Sequence, residues 1–372
     1  EAVIAPGVPL HISRLRHVAV NAVAAGGSNL VVRVRERIDL ASLPVYEADA
    51  ALDTGDGEIV SANAYLSARP IVDALAAGAQ VVVTGRTGDP SLALAPLMHH
   101  FGWRFDDWAR LAVGATAGHL LECGAQITGG YYYDPGFKDV PDPANIGFPI
   151  AEVDADGRLV ITKAARTGGI VNARVVKEQL LYEIHDPSHY VTPDVTLDFT
   201  RVSVREIGPD RVEVFGVRGG PAPEKVKATV CFDGGWMGEG EISYAGPNCL
   251  ARARAAGEVL LERLRRRKLA VKSRVDLIGV ASVHDGDGGT KWRAYEGTGP
   301  EDVRVRLAVS ARTQDDADQA VREVLALYCC GPAGGGGVRW RTTPRIRTQS
   351  YLMPPGDLAP GSRVQSAAEI AR

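Results

Sequence analysis

The chain has 372 residues, 45% of them apolar and 23% charged, with a formal net charge of −3. This is the composition of an ordinary folded protein, and at ~100–200 residues per domain the length suggests two domains. Disordered, collagen-like and coiled-coil chains are excluded, and no global basic field exists to hold nucleic acid.

The chain opens on Glu1 rather than Met, so a processed or trimmed start is expected, and no signal peptide precedes Pro6. His17–Ala24, the Gly26–Asn29 turn and Leu30–Val34 read as strand, turn, strand. Ala64–Ala77 has helical spacing and stops at Gly78, Ala79–Thr84 is a short apolar strand, Gly85–Asp89 is a turn, and Ser91–His100 is helical again. Helix, buried strand, glycine turn, helix is the pattern of a parallel α/β sheet. A helix is expected from about Asp106 to Cys123, then a turn-rich loop over Gly129–Asp156, a strand at Leu159–Thr162 and a helix at Val171–Tyr182.

Beyond Asp194 strands come in pairs. Val202–Ile207 and Val212–Val217 flank the hairpin signal Gly208-Pro209-Asp210, and Lys225–Phe232 and Gly240–Tyr244 add two more. A helix over Pro247–Leu269, strands at Val271–Val280 and Val303–Ala311 and a helix at Asp315–Tyr328 follow. The expected fold is an α/β N-terminal domain (1–195) with a largely parallel sheet, an α+β domain (196–345) and a Pro/Gly-rich tail (346–372) that frays. No run of about 18 apolar residues exists to span a membrane. The five cysteines are sparse and lack a CxxC pair, which points to a reduced, cytoplasmic protein with free thiols.

Five stretches could carry chemistry. Gly85, Arg86, Asp89 and Ser91 lie between a strand end and a helix N-terminus, where backbone N–H groups and a guanidinium hold anions. Their spacing matches neither a P-loop nor a dinucleotide fingerprint, and a plain capped turn is the alternative. His119, Glu122 and Cys123 share one helix face, so they could act in catalysis or, less strongly, hold a divalent metal; packing alone is the rival reading. Gly129 and Gly130 follow, then three tyrosines. Glu183, His185, Asp186 and Tyr190 crowd a helix end broken by Pro187, where imidazole beside carboxylate suits proton transfer, though Asp186-Pro187 also makes a simple turn. Lys163, ahead of Thr167-Gly168-Gly169, could stabilise an oxyanion or be solvated. Gly334 and Gly335, in the glycine run after Cys329-Cys330, allow close approach of backbone to a ligand or subunit, or make a linker. The loop His284–Gly289 lacks the closing Glu of a calcium loop and reads as surface. The basic run Leu264–Lys268 suits a solvated helix C-terminus.

Ser61–Leu66, Val81–Arg86 with Asp89-Pro90-Ser91, Glu122–Gln126 with Gly129-Gly130, Gly147–Glu152, Gln179–Glu183 and Gly331–Gly336 resemble, in order, the acyclic terpene utilisation (AtuA-like) family. Lys163 with Thr167–Gly169, and Asp186-Pro187 with Tyr190 and Pro193-Asp194, continue the resemblance, while residues 1–58 depart from it. It implies a setting in the breakdown of citronellol- and geraniol-type acids through branched acyl-CoA intermediates.

The residues and the setting together suggest an enzyme acting on a small carboxylic acid or its acyl-CoA thioester by hydration, dehydration or a related lyase step. Arg86 and Gly85 would bind the anion, Glu183 or His185 would move the proton and Lys163 would steady the oxyanion. No redox cofactor, nucleic acid or membrane is required, and a homo-oligomer is expected. A non-catalytic assembly subunit and a nucleotide-dependent ligase are the alternatives.

Overall fold

The computed structural model describes residues 2–4, 17–21, 58–286, 288–297, 299–358 and 362–366. Two compact units emerge, one formed mainly by Ser61–Val230 and the other mainly by Cys231–Thr348. In chain order the first unit contains β1 (Ala2–Ile4), β2 (His17–Asn21), the end of β3 (Ile59–Ala64), α1 (Arg69–Ala76), β4 (Val81–Val83), α2 (Ser91–Phe101), α3 (Trp108–Glu122), β5 (Pro149–Val153) and β6 (Leu159–Lys163). There follow α4 (Ala173–Leu181), β7 (Tyr190–Val191), β8 (Thr196–Asp198), β9 (Ser203–Gly208), β10 (Arg211–Phe215), β11 (Arg218–Gly220) and the start of β12 (Val226–Ala245).

The largely parallel sheet is not found. In the sheet ordered β1-β4-β2 and then the late strand at Ser362–Ser366, only β2 and β4 run parallel. The sheet β5-β6-β10-β9 is antiparallel throughout. The helix–strand–helix grammar around Val81–Val83 is real, but a strand between helices does not name its neighbours; that choice is non-local. The tail expected to fray supplies that late strand, and Leu30–Val34 lies outside the described residues.

The first unit's core holds Ile71, Leu94, Met98, Leu111, Leu120, Leu159 and Val176, and continues past residue 195 with Leu197, Val212 and Val214. Two glycines set the helix spacing. A Cβ on Gly118 would stand 2.3 Å from the Pro90 carbonyl oxygen, and one on Gly114 would stand 2.6 Å from a Leu94 methyl. They lie one turn apart on α3 and let the start of α2 approach its backbone.

The second unit contains the rest of β12, α5 (Cys249–Arg267), β13 (Val271–Ile278), α6 (Thr290–Ala294), β14 (Asp302–Ala311), α7 (Gln314–Val321), α8 (Glu323–Cys330) and most of β15 (Gly336–Met353); β16 (Ser362–Ser366) belongs to the first. Its strands are ordered β13-β14-β12-β15, and its core joins Ile242, Leu260, Leu307, Val324 and the fully buried Trp292. The basic run at the end of α5 is paired: Arg265 and Arg266 with Glu262, and Arg267 with Glu323. Asp285 accepts from the backbone N–H of Lys291 at 2.9 Å and of Trp292 at 3.0 Å, capping α6, while Asp287 lies outside the described residues. Among the described residues no helix is long and apolar enough to cross a membrane.

Candidate active site

Within the first unit a cavity of about 350 Å³ opens where several segments distant in the chain meet. Tyr65 follows β3; Arg86, Gly88, Asp89 and Pro90 form the turn into α2; His119 and Glu122 come from the last turns of α3. Tyr182 and Glu183 follow α4, Tyr190 to Pro193 comprise β7 and the two residues after it, and Lys225 and Lys227 flank Val226 at the start of β12.

The turn before α2 is pinned from two sides. Leu66 O accepts from Gly88 N at 2.8 Å and from Thr87 Oγ1 at 2.7 Å, so Thr87 is spent on the backbone. The buried Asp194 accepts from Ala68 N at 2.8 Å and from Ser91 Oγ at 2.5 Å, tying the starts of α1 and α2 together. Burial pushes its carboxyl up from 3.8 to about 6, against the pull of those two donors. The Arg86 guanidinium sits 4.2 Å above the Tyr65 ring and 3.1 Å from an Asp89 carboxylate oxygen. Stacking and pairing hold a planar donor at the cavity wall, as oxyanion recognition requires.

His119, 1% exposed, belongs to the same lining. Its Nε2 lies 2.9 Å from the Gln179 carbonyl oxygen. A carbonyl only accepts, so Nε2 carries a hydrogen and the neutral ring has its lone pair on Nδ1. That Nδ1 lies 3.6 Å from Glu122 Oε1 and has no hydrogen-bond partner among the described residues. The ring is held edge-on by Tyr190 at 5.2 Å. The sequence spacing i, i+3 on α3 puts imidazole and carboxylate side by side, and α4 orients the imidazole through its backbone.

Glu183 adopts φ +58°, a left-handed conformation that is costly for a residue with a side chain. It brings a second carboxylate to the cavity directly after α4 ends. The field is legible in the neighbours. Burial, then Glu122, Asp89 and Glu183, hold the Tyr190 hydroxyl far above the usual phenol range. Burial raises the Cys123 thiol against the pull of Gln179, with the same three carboxylates adding, which disfavours the thiolate. Glu183 also raises Tyr182. Three carboxylates therefore share the lining with Arg86, Lys225 and Lys227, and one of them, Asp89, is paired with Arg86 itself. Cations and carboxylates in one cavity can bind an anionic group and move a proton.

Of the residues singled out in the sequence, Arg86, Asp89, His119, Glu122, Glu183 and Tyr190 converge on this cavity. The others stand elsewhere. Ser91 is bound to Asp194, and Gly88 rather than Gly85 lines the wall. His185 is exposed outside the cavity lining, and Asp186 accepts from Ser188 N and Oγ at 2.8 and 2.7 Å, forming the turn. Lys163 Nζ donates to Thr167 O at 2.9 Å and pairs with Asp210 at 3.4 Å, clipping a loop. Gly129, at φ +106°, ends the short 3₁₀ turn Gly124–Thr128, and Gly130 N donates to Ala125 O at 2.9 Å. Gly334 and Gly335 belong to the second unit, beside Arg252 and Tyr244. Cys123 Sγ stands 4.0 Å from Glu122, but among the described residues no group of three or more His, Cys, Asp or Glu could hold a metal ion. Tyr65, Thr192, Lys225 and Lys227 were not singled out; the lysines alternate along a strand next to the buried Val226, the one signal that could have marked them.

The chain matches the family described as "Acyclic terpene utilisation family protein AtuA" over residues 11–364. The match therefore reaches well ahead of Ile59, over most of the segment that the resemblance left out. No curated protein matches the chain. Among solved structures, the de novo designed protein Foldit4 is similar over 30% of this chain and 97% of that one, at 14% identity and a TM-score of 0.21.

Proposed function

The chain belongs to the acyclic terpene utilisation family, and from that membership we propose an enzyme that adds water to, or removes it from, a branched acid or its acyl-CoA thioester. Arg86, with Lys225 and Lys227, would hold the carboxylate or thioester oxygen and the negative charge that grows there as a proton leaves the neighbouring carbon. Glu122, backed by His119, would take that proton. Glu183 would protonate the hydroxyl departing from the next carbon as water, and hydration would run the same transfers in reverse.

One observation carries this reading: His119 Nε2 is bound to a backbone carbonyl, so its Nδ1 lone pair faces Glu122 beside an arginine-lined cavity. The expected result for Glu122→Gln is a turnover loss on the order of 10²–10⁴-fold on branched enoyl or 3-hydroxyacyl thioesters. Circular dichroism and thermal midpoint should stay unchanged. Wild-type turnover in the variant would remove Glu122 from the mechanism. A non-catalytic assembly role draws on the exposed Phe137 and Phe148, at 84% and 71%. Loss of oligomer in their serine variants, with no turnover in wild type on any of these thioesters, would favour it.

A further inference from the structure

Next to the cavity lies a second depression of about 420 Å³, walled by Tyr131, Tyr132, Val175, Leu181 and Tyr182. Tyr182 lines both. Lys177 and Glu178 border the groove, but its open surface is mostly apolar, whereas the cavity is charged. Tyr131 and Leu181 are 78% and 57% exposed, large apolar surfaces left open beside a site. The rings of Tyr131 and Tyr182 meet edge to face at 5.9 Å, so the rim is held in shape rather than loose. One buried polar group sits in this lining. Gln179 is 2% exposed, and neither its amide oxygen nor its amide nitrogen has a hydrogen-bond partner among the described residues. The Cys123 thiol feels its pull but is too weak a partner to satisfy an amide. An unpaired buried amide is costly, and a ligand oxygen or N–H would satisfy it.

We propose that this groove is the tail subsite of the same site: it takes the extended alkyl chain of a substrate whose acyl head lies against Arg86, with Tyr182 at the junction. The inference rests on the functional reading above. A cavity carrying three carboxylates and three cations suits a polar head and repels a hydrocarbon tail. The adjoining groove offers the complementary surface, and acyclic chains are flexible enough to turn at Tyr182. Tyr131 and Leu181 then set chain-length preference, and Gln179 reads a single polar atom along the chain.

The test is a length series: 3-methylbutanoate, 3-methylhexanoate and 3,7-dimethyloctanoate, each as free acid and as N-acetylcysteamine thioester, titrated calorimetrically into the full chain. Wild type should bind about threefold to fourfold more tightly per methylene that enters the groove. The double variant Tyr131→Ala, Leu181→Ser alters exposed positions and should keep its fold. Its affinity for the shortest ligand should be unchanged, and its gain with length should flatten. Equal affinity for all lengths in wild type, or equal weakening of short and long ligands in the variant, would overturn the groove and leave the head site standing. Absence of binding at every length, in both forms, would overturn both.

Discussion

Gly118 is occupied by backbone rather than by space. Its missing Cβ is replaced by the Pro90 carbonyl, and Pro90 opens the helix whose preceding turn carries Arg86 and Asp89. The expected outcome of Gly118→Ala is a loss of about 1–3 kcal/mol in chemical denaturation, because an extra methyl forces the packed backbones apart. Weaker binding of acid ligands should accompany it, since the arginine turn shifts with Pro90. In the sequence Gly118 reads only as a poor helix former one residue before His119. The His119–Glu122–Cys123 face was legible from its spacing; which nitrogen faces Glu122 was not. That depended on a carbonyl 60 residues away in sequence, at Gln179.

At the level of elements, α4 is the one on which site geometry depends most, since it supplies the Gln179 carbonyl and ends at Tyr182 and Glu183. It starts at Asn172, whose side chain accepts from Arg174 N at 2.9 Å and Val175 N at 3.0 Å. Asn172→Ala should lower the thermal midpoint by an amount corresponding to about 1 kcal/mol, and should reduce turnover through a loosened His119. Replacement by Asp should restore both. This helix was readable almost to its ends because capping and periodicity are local signals. Strands were less so. Lys225–Phe232 and Gly240–Tyr244 read as two separate strands, yet β12 continues through Val226–Ala245, across Gly234 and Gly235. Ladder hydrogen bonds from neighbouring strands override the turn propensity of the glycines. β15 escaped notice because its Gly, Arg and Pro344 suit neither period, and an outer position in the sheet order tolerates them. The single helix expected over Asp315–Tyr328 divides at Arg322 into α7 and α8.

For the whole molecule the most telling group is Asp194, which joins α1 to α2 from the middle of the chain. Its carboxyl in the folded protein titrates near 6, above the 3.8 of an ordinary aspartate. A raised folded value means the native state holds its proton more tightly than the unfolded chain. The stability this confers is complete below about pH 4 and is lost as pH rises through 6. At ~1.36 kcal/mol for each tenfold change in proton affinity, the rise corresponds to about 3 kcal/mol. Comparing urea unfolding of wild type and Asp194→Asn from about pH 4 to pH 7 should show wild type losing roughly that much relative to the variant. Parallel curves across that range would refute the assignment. In the sequence Asp194 reads as a domain edge and as part of the family resemblance, but not as a buried tie, because burial is a property of the packed chain.

The sequence by itself determined what is local or compositional: the family, most of the helices, the β9–β10 hairpin, and the pairing of His119 with Glu122 on one face. Tertiary structure decided what depends on residues far apart in the chain. Which strands are neighbours, and in which direction, turned a largely parallel expectation into mainly antiparallel sheets. Which candidates share a cavity depended on the same packing, with Arg86, Glu122 and Glu183 brought together and Lys163 and His185 left outside its lining. The reason is physical: a residue's type and spacing reveal the chemistry it can perform, while packing alone decides which other chemistry stands within reach of it.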